Sequence, residues 1–477
     1  MERLPIEMIA KISCYLSVAD LVACSATCRT WREMFSDDMV WRRHCTLRLV
    51  EYLENTDTTI PGLQLTEHSS LSPLPEWRTR FIRENCLWNN WRQANFRRHV
   101  VASIDGIETL VIFYKNDYLV TVIFNQVQLW DVRDVPICLI TDPCELDKTL
   151  DIDYVKVLNE DRILFVQSSK VSVFLISVTS SPWSLIHTFN FNERHSSESN
   201  GEKGMTPPPP DDQDDESVAN KYIYVASGDY FLGVAAGYNR LLHIWNISTG
   251  EKLKEVICPI RNQNSYFTGI YYSHKPSTDF VFTMEEIRED VEESKMYFLK
   301  VRVHLYVYNV SELRFRDFTQ TRMGRVYTCM IYEPYIFLKD FFNLTIYNYK
   351  TSAVVEVKPT IGNPIVFNDN VIYITEGKFK EFNVSTGTSR QLTSFSAFPM
   401  FFIACDRFII QIINFRDFEV FEIVGRREKL MQLSISANNE YWFSDRVAVT
   451  NSMYTKKVIV EYKEEDSKRH ITLLNFW

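Results

Sequence analysis

The side chains equipped for chemistry in this chain are cations set at turns, rather than nucleophiles or metal ligands. Lys170, Arg240, Lys378 and Arg416 each stand at the entry to a short strand-like run of one recurring type, and Arg322 and Arg325 lie between two such runs. An ammonium or guanidinium held at a turn can bind a phosphate or carboxylate through charge-assisted hydrogen bonds, bidentate for arginine. Together such cations suit a phosphorylated protein segment; taken singly, they read as solvated surface charge. Tyr238, Tyr266 and Phe342 fall in comparable places and offer aromatic contacts to an unmodified peptide.

Catalysis has no comparable footing. No glycine-rich phosphate loop follows a strand-like run, and neither HExxH nor GxSxG occurs. The nine histidines, His99, His243 and His304 among them, stand singly, so metal ligation is not expected. The ten cysteines, such as Cys24, Cys28, Cys138 and Cys405, lack zinc spacing and the density of a disulfide scaffold. No catalytic residue, metal or cofactor is therefore expected, and the thiols read as reduced core groups of a cytoplasmic or nuclear protein. A net charge of −9 argues against general nucleic-acid binding, which needs a basic surface. No charged leader with an apolar run opens the chain, and no segment approaches the roughly 18 to 20 apolar residues of a membrane helix.

The elements that must hold the cations are short strands. From residue 96 to 477 β-branched and aromatic residues alternate in brief runs split by Asn, Asp, Gly and Ser. One type recurs: QVQLWDV at 126–132, KVSVFLI at 170–176, RLLHIWNI at 240–247, RVHLYVYNV at 302–310, NLTIYNY at 343–349, KFKEFNV at 378–384 and DFEVFEI at 417–423, with a weaker copy, KKVIVEY, at 456–462. A period of roughly forty residues suits the third strand of a four-stranded propeller blade, which predicts about eight blades, or about seven if the last copy only completes the ring. Residues 98–104 are placed to supply the outer strand that closes it. Two acidic insertions lengthen the period: 193–217, which contains GMTPPPPDDQDDES, and 285–296, EEIREDVEESKM. The first cannot bury a core and is expected to be disordered; the second reads as an extended loop or a short helix.

Residues 4–45 read as three short helices. Pro5 suits a first helical position, Ile9, Ile12 and Leu16 recur at helical spacing, and Asp20 is the expected N-cap of a second helix carrying Leu21, Cys24, Ser25 and Cys28. Ser36, Asp37 or Asp38 can cap a third. A bundle of roughly forty residues sits near the limit of independent stability and is expected to offer apolar surface to a partner. Residues 46–73 form a connector, after which Trp77, Phe81, Trp88 and Trp91 mark a helix with Arg78, Arg80, Arg83 and Arg92 off its stripe.

The run LPIEMIAKISCYLSVADLVACSATCRTWREMFSDDMVWRRHC resembles an F-box along its length, from Leu4-Pro5 through Tyr15-Leu16, Asp20-Leu21, Cys28 and Trp31 to Trp41-Arg42-Arg43-His44-Cys45. The helix ending in Asn90-Trp91-Arg92 resembles the linker of F-box/WD-repeat proteins. Trp130-Asp131 and HIWNISTGEKL at 243–253 resemble WD repeats, divergently, since one true Trp-Asp pair exists and 14 glycines are few. The resemblance implies a multidomain chain: an all-α F-box at 1–46, a helical linker at 47–95 and an all-β WD-repeat-like propeller at 96–477. It implies the non-catalytic substrate-recognition subunit of a Skp adaptor–cullin–F-box (SCF) ubiquitin ligase, monomeric within the complex, with the transfer chemistry done by a separate enzyme at the cullin. Leu4, Pro5, Ile9, Ile12, Leu16, Leu21 and Trp31 are the implied adaptor contacts. The propeller would hold a protein target, phosphorylated or not, with no nucleic acid or membrane partner. The rival readings are a scaffold that binds the adaptor without directing degradation and an enzyme on a propeller.

Overall fold

The computed structural model of the chain describes residues 5–45, 75–93, 95–104, 109–114, 118–123, 125–158, 161–190, 222–235, 241–257, 265–272, 278–287, 301–323, 326, 328–340, 342–367, 370–396, 401–404, 408–412, 417–423, 429–434, 457–463 and 469–475. They fall into two compact units, one of residues 1–106, 133–136 and 403–477, the other of 107–132 and 137–402.

The second unit is a succession of antiparallel four-stranded meanders in chain order. Its first sheet is Thr109–Tyr114, Tyr118–Ile123, Gln126–Asp131 and Ile137–Thr141; its second is Tyr154–Val157, Arg162–Gln167, Lys170–Leu175 and Ser184–Asn190. Four more follow the same plan, beginning at Tyr222, Ser265, Thr328 and Ile361. Each sheet packs face to face on the next. Ile163, Phe165 and Phe174 join the core shared with the first sheet, whereas Leu164, Val166, Val171 and Val173 join the core shared with the third. Burial on both faces is why the inner strands read as continuous apolar runs instead of alternating ones. First strands of neighbouring sheets adjoin, Tyr222–Ser227 beside Ser265–Tyr272 and the latter beside Thr328–Tyr332. This is the blade architecture of a β-propeller.

A seventh four-stranded sheet (Phe401–Ala404, Phe408–Ile412, Asp417–Glu422, Lys429–Ser434) and a three-stranded one complete eight sheets among the described residues. In the three-stranded sheet, Arg97–Ile104 pairs with Arg469–Asn475, which also pairs with Lys457–Lys463. The seven strong sequence repeats are all third strands. KKVIVEY is not: Arg469–Asn475 lies between it and the exposed strand Arg97–Ile104, so it corresponds to a second strand. The acidic run at 285–296 also begins too early. Glu285 and Glu286 are buried in the strand Asp279–Ile287, where Glu286 meets His304 at 2.9 Å and Arg302 at 3.6 Å. The segment 193–217 lies outside the described residues.

A bulge recurs where the third strand meets the fourth, beside an aromatic residue: Trp130, Phe174, Trp245, Tyr347 and Phe421. The extra residue kinks the outer strand and sharpens its twist. Asparagine makes the turn after several of the third strands. Asn246 Oδ1 accepts from Ser248 N and Thr249 N, Asn348 Oδ1 from Lys350 N and Thr351 N, and Asn383 Oδ1 from Thr386 N. The Asn246 turn closes on Gly250 at φ 74°, and a Cβ there would stand 2.6 Å from His187 Nδ1. Gly250→Ala is therefore expected to lose the roughly 1–2 kcal/mol of a left-handed alanine plus a steric cost. Gly228→Ala, at φ 56° with nothing within 4 Å, should lose the backbone part alone; the difference between their thermal unfolding midpoints isolates the contact with His187.

Candidate functional site

Four short helices form the N-terminal bundle where three were expected: α1 (Ile6–Ser13), α2 (Val18–Thr27), α3 (Arg29–Phe35) and α4 (Asp38–Trp41), with a 3-10 turn at Arg42–His44. Pro5 is the N-cap of α1, one residue outside the helix, with an exposed side chain. The second helix begins before Asp20. Ser17 is its N-cap, and Asp20 supplies the return half of a capping box: its carboxylate accepts from Ser17 N at 3.0 Å and Ser17 Oγ at 2.6 Å, while Asp20 N donates to Ser17 Oγ at 3.2 Å. Extended backbone at Cys28 separates α2 from α3, and the Cys28 thiol accepts from Trp31 N. Asp37 caps α4 through Met39 N.

The hydrogen bonds from Ser17 hold the Asp20 carboxyl below the usual aspartate range. A group depressed in the folded state adds stability above its unfolded pKa of about 4 and loses it as pH falls further. The helical circular dichroism of the wild type should thus fall more steeply below about pH 4 than that of Asp20→Asn, which starts lower and lacks this component.

Ile9, Leu21, Phe35, Val40 and Trp41 make the core of the bundle, with Trp41 Nε1 donating to Phe35 O at 2.7 Å. A fifth helix, α5 (Glu76–Arg92), completes it: Trp77 and Phe81 pack on this core, and Asp38 of α4 accepts from Trp77 N at 2.8 Å. The arginines beside the stripe are engaged rather than simply solvated. Arg78 lies over Trp41 at 5.2 Å, and Arg42 and Arg80 lie over Trp77 at 5.3 and 4.7 Å. The buried Cys45 thiol, pushed up to about 12 by burial, donates to Trp41 O and Trp77 O. At the other end of α5, Trp91 stacks on Phe408 at 5.3 Å, Trp88 meets the same ring edge-on at 5.7 Å, and Arg92 pairs with Glu422 at 2.9 Å.

These placements sort the expected contacts. Ile9 (2% exposed) and Leu21 (0%) are spent inside the bundle. Ile12, Leu16 and Trp31 are half-buried, and Leu4 lies outside the described residues. Among the described residues, the large apolar side chains that the bundle leaves in solvent include Met8, Tyr15 (91%), Val22 and Met39 (61%). Of these, Tyr15 stands in a pair that carries the F-box resemblance and Met39 on the expected third helix; Met8 and Val22 are apolar residues off the inward stripes.

Lys170 and Lys378 are both exposed and occupy the same position in their sheets, opposite the last residue of the second strand (Gln167 and Thr375). The charge of Lys170 reaches Asp147, whose carboxyl is lowered chiefly by hydrogen bonds from Thr149 and further by this lysine. Arg322 belongs to the fourth strand Arg314–Met323, opposite Val303, and not to a loop between sheets. Arg240, Arg325 and Arg416 lie outside the described residues.

Residues 1–47 match the F-box-like family. Over 95 residues the chain is 26% identical to F-box/WD repeat-containing protein 7 of Drosophila melanogaster, a match that spans 20% of this chain and 7% of that protein. Similar solved structures include the computationally designed Ika8 protein (9% identity, TM-score 0.45, covering 78% of this chain and 99% of that one) and BamB from Moraxella catarrhalis (10% identity, TM-score 0.43, covering 80% and 100%).

Proposed function

We propose, from the premise that this chain is an F-box protein whose residues 1–47 form an F-box-like domain, that it is the substrate-recognition subunit of an SCF-type ubiquitin ligase. F-box domains bind Skp-type adaptors, and that single observation carries the reading. The docking residues we assign are the exposed Met8, Tyr15, Val22 and Met39 with Pro5, Ile12, Leu16 and Trp31, the buried Ile9 and Leu21 supporting them from within; Leu4 is kept as a contact on its sequence alone. Exposed large apolar side chains on so small a bundle, four among the described residues, support a partner-covered surface. The blades would hold the protein target, with Lys170, Arg240, Arg322, Arg325, Lys378 and Arg416 as its anion contacts. The chain then contributes proximity rather than bond chemistry, which a cullin-bound enzyme performs in the cytoplasm or nucleus.

Co-expression with a Skp-type adaptor and a cullin tests this. A purified complex of all three, together with a protein that accumulates when the chain is removed, is the expected result. Assembly with no accumulating protein would turn the reading to a scaffold; no assembly would overturn it.

A further inference from the structure

The first strands of three successive sheets bring together a group of side chains that the docking of an adaptor does not use. Lys156, in Tyr154–Val157, donates to Ala226 O in the next sheet and lies 4.1 Å from the ring centroid of Tyr272 in the one after. Tyr154 and Tyr224 meet edge-to-face at 5.5 Å beside it. Burial pushes both their phenols up, so each keeps its proton and remains a hydrogen-bond donor at neutral pH. Tyr272 is more than a third exposed and Lys156 is half-buried, which leaves the group open on one side. An ammonium has three donor positions, of which the Ala226 carbonyl takes one.

Asp153 sets the charge. Its carboxylate accepts from Ser168 N at 2.7 Å and lies near enough to Tyr224 to raise that phenol further. Of these groups Lys156 is the cation, and an anion would be held by its ammonium and the phenol hydroxyls. A phosphate dianion would bring two charges towards Asp153 with one cation to balance them.

We propose that Lys156, with Tyr154, Tyr224 and Tyr272, binds a carboxylate of an unmodified acidic peptide. The inference rests on the substrate-recognition reading and narrows it: target capture at this place needs no phosphorylation.

The test is fluorescence anisotropy of the full chain, bound to its adaptor, with a labelled pentaglutamate peptide and the same peptide carrying one phosphoserine. Saturable binding of the glutamate peptide is expected, weakened at least about tenfold by Lys156→Met and about threefold by Tyr154→Phe or Tyr272→Phe, which keep the rings. Lys350→Met, at a surface lysine paired with Glu333, should change it less than about twofold. Where Lys156→Met lowers the unfolding midpoint, the two phenylalanine variants decide. Three results overturn the proposal: no saturation by about 1 mM, binding indifferent to Lys156 and both hydroxyls, or a phosphoserine peptide bound more than tenfold tighter. Failure of the adaptor to co-purify would instead strike the ligase reading, and the peptide titration can then be read on the chain alone.

Discussion

Trp91→Ala should cost about 3–5 kcal/mol of stability, the largest loss we expect from a single side chain in the described helices. Trp91 is fully buried and lies flat on Phe408, with a ring plane tilted by only 19°. Its removal empties the space between the last turn of α5 and the strand Phe408–Ile412, where Trp88 and the Arg92–Glu422 pair cannot follow it inward. Glu422 is nearly buried, so a shift of Arg92 would also leave a carboxylate without its cation. Trp91→Phe keeps a ring on Phe408 and should cost much less. Thermal unfolding of the full chain followed by tryptophan fluorescence reads both variants. Equal midpoints for alanine and phenylalanine would show that a ring on Phe408 contributes nothing. The mechanical meaning is that α5, about 25 Å long at 1.5 Å per residue, is fixed at both ends, by Asp38 and Trp41 at one and by Phe408 at the other.

Tyr15→Ala should weaken adaptor binding about thirtyfold, an interface anchor being worth roughly 2 kcal/mol, and leave the unfolding midpoint unchanged. The ring makes almost no use of its own chain, being 91% exposed in the turn after α1, where Tyr15 N donates to Ile12 O. Leu21→Ala supplies the contrast. Its side chain is fully buried, so the loss should appear as about 2–5 kcal/mol of stability and reach binding only through unfolding. Measuring both variants for midpoint and for adaptor affinity separates the two roles. If Leu21→Ala bound poorly at an unchanged midpoint while Tyr15→Ala bound normally, the surface assigned here would be the wrong one.

Much of the fold was legible because it rests on short-range patterns. Seven strands of one type announced themselves through apolar runs ending in an aromatic residue, and each is the third strand of its sheet. What escaped depends on direction or on unusual chemistry. Periodicity places Ile9 and Leu21 on an apolar stripe, but a stripe that faces its own bundle and one that faces a partner have the same spacing. The break between α2 and α3 carries no proline or glycine; a thiol caps it, and cysteine is a poor advertisement for a cap. Asp20 looked like a cap because aspartate usually is one, whereas here Ser17 takes that place. Glu285 and Glu286 looked like the start of a solvated loop because charge predicts exposure, until a histidine and an arginine from the next strand are seen to meet Glu286. The inner-strand group at Lys156 had no sequence signature, since its members come from three sheets.

The pairing of Arg97–Ile104 with Arg469–Asn475 sets a clock on biosynthesis. The ribosome delivers the first of these strands long before the second, and at about 5–20 residues per second the wait lasts on the order of 20–70 s. Throughout that interval a nascent segment with Val100, Val101 and Ile104 has emerged without its mate, beside helices that can already collapse on themselves. The sheets between them can fold in order as they appear, each on its predecessor, but this one has to be held open until translation has passed residue 475. Chaperone dependence during synthesis, and sensitivity to premature termination, should therefore concentrate at this sheet and at the end of α5 that waits for Phe408.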